Sequence, residues 1–347
     1  MSRSEVSQSL SVESGLPADL MVCPGCRGAV HKQSAEAFTC RQCNRAFDAV
    51  EGIPDLRDGE GDSAWEQQDL ESARRYSAEM SGTDITAVMQ QLSDRPEDDV
   101  ETRAMRVRQI INGPPKFRRQ FEGWLAHCVA PGNLLLDIGC GSGGLLAAAS
   151  SLGIRALGVD ASMTNLVAAK HMIEAHGGAA QLVCAYAERL PFSDGSVANI
   201  TLYDSIEHVS DVGDTLFEAH RVLRPGGRMA ISTPNRFSLT REPHVLVWGV
   251  GWLPRRLQAP YVKWRAGQPY DHTRLMSARE MARKLSRHEG LECAFRVPPV
   301  PQEEIANFPP RRARLARLYN RVCSWAVLRA LLLAVGPFYQ VVATRRP

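Results

Sequence analysis

The sequence has no apolar run of bilayer length. Val322 to Val335 is the candidate, but Arg329 interrupts it and it falls short of the roughly 20 apolar residues that a spanning helix needs. Met1 to Leu20 is serine-rich and mixed in charge, without the apolar core of a secretion signal, which predicts a disordered leader and a cytoplasmic protein. Acidic residues are missing beyond Glu304, where eight arginines stand, among them Arg311, Arg312, Arg314, Arg317 and Arg321. Glu60 to Glu101 carries the opposite bias and reads as a solvated face. The formal net charge is only +3 and the pI near 8.4, too mild to argue for nucleic acid without clustering. With 347 residues, 44% of them hydrophobic and 23% charged, the chain has the composition of a globular α/β protein of about two domains.

What is present begins with cysteine. Nine cysteines in a cytoplasmic chain point to metal ligands or buried thiols rather than disulfides. Cys23-Pro-Gly-Cys26 and Cys40-Arg-Gln-Cys43 form two Cys-x-x-Cys knuckles separated by thirteen residues, so four thiolates can surround a zinc ion tetrahedrally. Gly25, Gly28 and Asn44 are expected to supply flexible or left-handed positions beside the ligands. The segment is too short for a core, so the metal would fold it. With its continuation, Phe47 to Leu56, the stretch from about Val22 to Arg57 resembles a small zinc-ribbon family found alone or fused to methyltransferases. The resemblance implies a structural zinc, because a closed four-thiolate site leaves no open position for water.

The expected boundaries are a leader over 1–19, a four-cysteine zinc ribbon over 20–57, a helical linker over 58–115, and a larger domain over 116–347 with insertions at 236–276 and 301–336. In the linker, Ala64 to Tyr76 and Val100 to Ile111 read as helices, and Arg95-Pro-Glu and Gly113-Pro-Pro as turns. Lys116 to Val129 reads as a helix with Phe117, Phe121, Trp124, Leu125 and Cys128 along one stripe.

Leu134 to Gly144 organises the larger domain. Three leucines run into Asp137, then Ile138, then the turn Gly139-Cys-Gly-Ser-Gly143, which reads as a buried strand, a sharp turn and a helix start. A glycine turn alone is weak, since nucleotide and dinucleotide folds share it. Asp137 argues against a pyrophosphate at that helix N-terminus and favours a ligand with a cationic group. Twenty-one residues after Gly139, the strand Ala156 to Asp160 ends in a carboxylate placed to accept ribose hydroxyls. Cation plus ribose partly describes S-adenosylmethionine. Further blocks follow: Gln181 to Ala185 leading to Ala187-Glu188, then Asp204-Ser-Ile-Glu-His208, then Arg221 to Asn235.

Together the blocks resemble the class I S-adenosylmethionine-dependent methyltransferases, from about Phe117 to the C-terminus, in particular the methyltransferase type 11 and ubiquinone-biosynthesis O-methyltransferase group. The resemblance implies a Rossmann-like seven-stranded, mostly parallel sheet with flanking helices. It also implies that Asp137, Gly139, Cys140, Gly141 and Gly143 lie at the methionine end of the cofactor, Asp160 and Ala161 at the ribose, Ala187 and Glu188 at the adenine, and Asp204 nearby. Many relatives carry Asp before the Ala-Glu pair, where this chain has Tyr186. Either Tyr186 stacks or bonds differently, or Glu188 takes over.

Methyl transfer from a sulfonium needs the acceptor aligned and, for a hydroxyl, its proton removed. Asp204, Glu207 and His208 have the spacing D-x-x-E-H, similar to the E-x-x-E-H segment of the ubiquinone enzymes, where such residues can support a divalent cation. His208 could instead be the general base, or simply orient the loop. No Asn-Pro-Pro-Tyr or Asp-Pro-Pro-Tyr follows the fourth strand, which argues against amino methylation of adenine or glutamine.

The insertion Arg236 to Met276 holds Trp248, Trp252, Tyr261, Trp264 and Tyr270, and is expected to cover the acceptor pocket with His244, Asp271 and His272 lining it. The same composition fits a membrane surface or stacking on RNA bases. Pro301 to Gly336 reads as a basic helix pair that packs on the core or contacts a membrane peripherally. The expected activity is methyl transfer to a small-molecule acceptor, most readily at oxygen. The alternatives are a ribosomal RNA base methyltransferase and a non-catalytic scaffold. RNA is the weaker partner, because no lysine- or arginine-rich face accompanies the ribbon.

Overall fold

The computed structural model of the chain describes residues 20–58, 63–79, 104, 107–108, 110–129 and 132–347. The expected leader, the Arg95-Pro-Glu turn and most of the expected helix Val100 to Ile111 lie outside them.

The N-terminal part is an antiparallel meander of β1 (Val30–Lys32), β2 (Ala37–Cys40), β3 (Ala46–Val50) and β4 (Ile53–Pro54). Helices α1 (Ser63–Glu79) and α2 (Gly113–Glu122) follow. Then strands and helices alternate: β5 (Leu135–Ile138), α3 (Gly144–Ser151), β6 (Ala156–Asp160), α4 (Met163–Ala175), β7 (Gln181–Cys184), β8 (Val197–Tyr203), α5 (Val212–Val222) and β9 (Leu223–Pro234). After α6 (Arg255–Ala266) and α7 (Ala278–Leu285) come β10 (Leu291–Arg296), α8 (Gln302–Ala306), α9 (Pro310–Ser324), α10 (Ala326–Val335) and β11 (Phe338–Arg345).

The larger sheet has the order β7-β6-β5-β8-β9-β11-β10. Neighbours from β7 to β9 pair in parallel, while β11 runs antiparallel to both β9 and β10. The expected seven-stranded, mostly parallel sheet is therefore what forms. All four residues of β5 are buried, as a parallel strand covered on both faces requires. Leu136 and Ile138 join a cluster with Leu216 of α5 and Met281 of α7, and Leu135 joins one with Leu146 of α3 and Met172 of α4. Strand order reverses between β5 and β8, so the crevice beyond their carboxyl ends is where an open α/β sheet takes its ligand.

The ribbon shares its core with this sheet. Val30, Phe38, Phe47 and Leu56 belong to the same buried cluster as Leu190 and Phe192. Val22 N–H donates to the Pro191 carbonyl at 2.9 Å and Leu56 N–H to that of Cys184 at 2.8 Å, while Asp55 bridges Cys184 in parallel, extending the sheet beyond β7.

Two local expectations are corrected. Gly113-Pro-Pro opens α2 rather than making a turn, since proline at the first helical positions has no amide to lose. The helix expected over Lys116 to Val129 stops at Glu122, and after Gly123 a separate 3-10 turn, Leu125–His127, buries Leu125. The insertion over 236–276 has a small core of its own, Val247, Val250, Val262 and Tyr270. Among the described residues no single helix is long and apolar enough to cross a membrane.

Candidate functional site

In the ribbon, Cys23 Sγ lies 3.8 Å from Cys43 Sγ and Cys26 Sγ 3.4 Å from Cys40 Sγ, with all four sulfurs within 4.8 Å of one another. A tetrahedron with metal–sulfur bonds of about 2.3 Å has edges of about 3.8 Å, so the four thiols fit zinc. The knuckles are built alike. Arg27 N–H donates to the Cys23 carbonyl and Asn44 N–H to that of Cys40, and Cys23 and Cys40 N–H donate to the Gly28 and Arg45 carbonyls. The left-handed residue in each is the one after its second cysteine, Arg27 (φ 62°) and Asn44 (φ 57°), not Gly25 or Gly28 as expected. Gly28 is needed for space instead: a Cβ there would stand 2.5 Å from Gln42 Cβ.

At the β5/β8 crevice a cavity of about 820 Å³ runs from Ile138, Gly139, Gly141 and Asp160 past Ala161, Tyr186, Ala187 and Glu188 to Asp204, His208 and His244. Asp160 lies at the end of β6, where Oδ2 accepts from Gly141 N–H at 2.9 Å and Oδ1 from Ser162 N–H at 2.9 Å. Burial raises its pKa against the pull of these bonds. Gly141 (φ 51°) faces open space, whereas a Cβ on Gly143 (φ 76°) would sit 2.7 Å from Ala169 Cβ. Gly143 therefore serves the packing of the turn onto α4, and Gly141 leaves room in the cavity.

Asp137 and Cys140 do not line the cavity. Asp137 is 3% exposed behind the turn and accepts from Thr201 Oγ1 at 2.7 Å. Burial pushes its pKa up to about 7, opposed by Thr201 and helped by the charge of Asp160. The Cys140 side chain is buried, and a Cβ on Gly158 would lie 2.9 Å from its Sγ. Glu188 Oε1 accepts from Ser210 and Asp211 N–H, bracing the loop that leads to α5. The Tyr186 hydroxyl donates to Glu66 Oε1 at 2.6 Å while the residue lines the cavity.

Of Asp204, Glu207 and His208, only the last two belong to a cluster that could share one ion. Asp204 adopts φ 53°, a left-handed conformation uncommon outside glycine, and its Oδ2 lies 3.8 Å from Lys116 Nζ. Glu207 and His208 instead converge with His244, all three within 4.8 Å through one atom each. His208 Nε2 lies 3.2 Å from His244 Nε2, and Glu207 Oε1, buried and without a hydrogen-bond partner among the described residues, lies 3.8 Å from His244 Nε2. The other ring nitrogens are tied: His208 Nδ1 to the His272 carbonyl at 3.1 Å, His244 Nδ1 to Glu242 Oε1 at 2.5 Å. Each Nδ1 faces an acceptor and so carries the proton, which turns both Nε2 lone pairs towards one point. That arrangement needs a shared proton or a cation at the focus. Burial and the neighbouring His244 lower the pKa of His208. For His244 the hydrogen bond and charge of Glu242 outweigh burial and raise it. Burial, then the charge of Asp204, lifts Glu207 to about 8.

Sequence reasoning missed Glu242, whose only signal was its place two residues before His244 in Glu-Pro-His. Its Oε2 accepts from the backbone N–H groups of His244 and Val245, so the carboxylate is fixed before it meets the imidazole. Asp271 and His272 line the cavity as expected. Of Trp248, Trp252, Tyr261, Trp264 and Tyr270 only Tyr270 lines it, and Trp248, Trp252 and Trp264 stand exposed on the outside of the cap.

Residues 136–231 match a methyltransferase domain family. Those residues therefore carry a methyltransferase domain. The chain is 36% identical over 135 residues to the ubiquinone biosynthesis O-methyltransferase of Nitrobacter winogradskyi, covering 37% of this chain and 49% of that one. It is 34% identical over 146 residues to the enzyme of the same name from a Bradyrhizobium species, covering 40% and 54%. An uncharacterized transposon protein of Streptomyces fradiae is 38% identical over 113 residues, 32% of each chain. The chain thus spans a third to about half the length of these relatives.

Proposed function

We propose that this chain transfers a methyl group from S-adenosylmethionine to a small-molecule acceptor, at oxygen. The observation that carries the reading is one continuous cavity, in which the Gly139–Gly141 turn and Asp160 open directly onto His208 and His244. The ubiquinone biosynthesis O-methyltransferases matched by the domain favour oxygen as the acceptor atom.

The bound cofactor supplies an electrophilic methyl group on a sulfonium. Asp160 and Ala161 hold the ribose, Gly139 and Gly141 leave room for the methionine end, with Asp137, Cys140 and Gly143 shaping the turn from behind, and Ala187 and Glu188 border the adenine. His208 takes the acceptor proton on Nε2, while its Nδ1–H remains on the His272 carbonyl. In the alternative use of the same Nε2, Glu207, His208 and His244 would hold a divalent cation, and His208 would then not be the base. Their two imidazoles and one carboxylate suit such an ion, and Glu242 and the His272 carbonyl would orient the rings. Asp204, turned to Lys116, lines the cavity beside His208. Cys23, Cys26, Cys40 and Cys43 hold a structural zinc.

The exposed Trp248, Trp252 and Trp264, with Arg256, Lys263 and Arg265 on α6, suit peripheral contact with an anionic membrane. Flotation with anionic liposomes would carry the protein upward, and protein left wholly in the soluble fraction would end that part of the reading. The activity is tested with methyl-labelled cofactor and, in parallel, total RNA, a protein extract and a small-molecule extract. Label is expected in the small-molecule fraction, and label confined to RNA would overturn the proposal.

A further inference from the structure

Arg57 leaves the ribbon just after β4 and is 5% exposed. Its guanidinium grips Asp55 through Nε at 2.9 Å and Nη2 at 2.6 Å, while Nη1 donates to Asp69 Oδ2 and to the Ala161 carbonyl, each at 3.1 Å. Asp69, buried on α1, caps the first turn of α4: it accepts from Met163 N–H at 2.6 Å, Thr164 N–H at 3.2 Å and Ser162 Oγ at 2.8 Å. Those three residues follow directly on Asp160 and Ala161, and the Ser162 N–H holds Asp160 Oδ1. One turn earlier on α1, Glu66 takes the Tyr186 hydroxyl. The ribbon exit and α1 thus fasten both the acidic turn at the end of β6 and the wall at Tyr186.

We infer that Arg57 and Asp69 are positioning residues for the cofactor half of the cavity, so that the ribbon and α1 form part of the cofactor site rather than a separate module. This rests on the cofactor reading above. Buried charge-assisted bonds hold a loop far more tightly than solvent-exposed pairs. Removing Arg57 leaves the Ala161 carbonyl, among the described residues, only the Cys184 thiol at 3.5 Å and takes away the cation shared by Asp55 and Asp69. Replacing Asp69 by Asn leaves an amide that cannot accept on both sides. In either case the Asp160 carboxylate loses its fixed orientation without losing any contact of its own.

The test is calorimetric titration of S-adenosylhomocysteine into the full chain. Arg57→Gln and Asp69→Asn are expected to weaken binding at least tenfold at a temperature where each variant is fully folded, with Arg57→Lys between them and wild type. Arg74→Ala, which breaks an exposed pair between α1 and Asp48 of β3, is expected to bind within twofold of wild type. Folded Arg57 and Asp69 variants that bind like wild type would overturn the inference, whereas a wild-type chain that fails to bind would overturn the cofactor reading beneath it. Hydrogen exchange on the unmodified chain needs no variant to fold. Saturating S-adenosylhomocysteine is expected to slow exchange in the 63–79 helix at least threefold, and no change there would overturn the inference equally.

Discussion

Gly141 meets Asp160 across 19 residues of chain, within one β-α-β unit, whereas His208 meets His244 across 36 residues and His272 across 64, through an insertion with a core of its own. The two halves of one cavity are therefore assembled differently. The cofactor half is set by strand register and by the packing of the glycine turn on α4. The acceptor half depends on where the cap folds back over the sheet. A third region, the ribbon, is assembled differently again: it brings four thiols together, shares apolar contacts with the sheet and reaches the cofactor half through Arg57.

The largest expected effect breaks the ribbon away from both halves. Cys40→Ser, or stripping metal with a strong chelator, removes binding free energy that reaches about 10 kcal/mol or more in small zinc domains. Because Phe38 and Phe47 share a cluster with Leu190 and Phe192, the loss is expected to spread into the sheet and lower the melting temperature by more than about 10 °C. Melting within about 2 °C of the untreated protein would separate the ribbon from the core.

Next, the two histidines of the acceptor half are expected to act as one unit. His208→Ala and His244→Ala should each lower turnover by about 10²–10⁴-fold, the double variant costing little more than either alone. Multiplicative losses in steady-state turnover would mean that they work independently. An His208→Ala protein with normal turnover would remove that residue from the mechanism.

Asp137 sharpens the account of the cofactor half. Its folded pKa near 7 stands above the ordinary 3.8, so its contribution to stability is complete below about pH 4 and is lost as pH rises through 7. That difference corresponds to about 4 kcal/mol. In the absence of ligand, Asp137→Asn is expected to melt well above wild type at pH 8, the gap closing towards pH 4. A gap that does not vary with pH would contradict the raised value.

The smallest effects separate the glycines. Gly143→Ala pushes a methyl onto Ala169 in a left-handed conformation and should cost roughly 2–4 kcal/mol of stability by denaturant unfolding. Gly141→Ala meets no neighbour and should cost only about 1–2 kcal/mol. Equal losses would place the two glycines in the same role.

The same contrasts explain how much of the molecule is legible in its amino-acid sequence. The strands and the acid at the end of β6 follow from apolar runs that stop at Asp137 and Asp160, a short-range pattern, whereas the seven-stranded sheet is implied by the family resemblance and the strand order comes only with the structure. The four zinc-spaced cysteines follow from spacing alone. Which glycine faces a ligand and which packs on Ala169 depends on a helix contact that no local pattern carries. Glu242, Arg57 and Asp69 were illegible for the same reason: each acts on chain far from its own position. Which way the cap's tryptophans face is not legible either, because an aromatic-rich composition fits the inner face of a lid as well as its outer face. Only the packing of Val247, Val250, Val262 and Tyr270 decides which side is buried.

The division of the cavity is tested most directly by titrating S-adenosylhomocysteine calorimetrically into wild type, Asp160→Ala and His244→Ala. The account predicts one-to-one binding to wild type, a loss of at least tenfold in Asp160→Ala, and affinity within twofold of wild type in His244→Ala. Undiminished binding to Asp160→Ala, or binding abolished by His244→Ala, would contradict it.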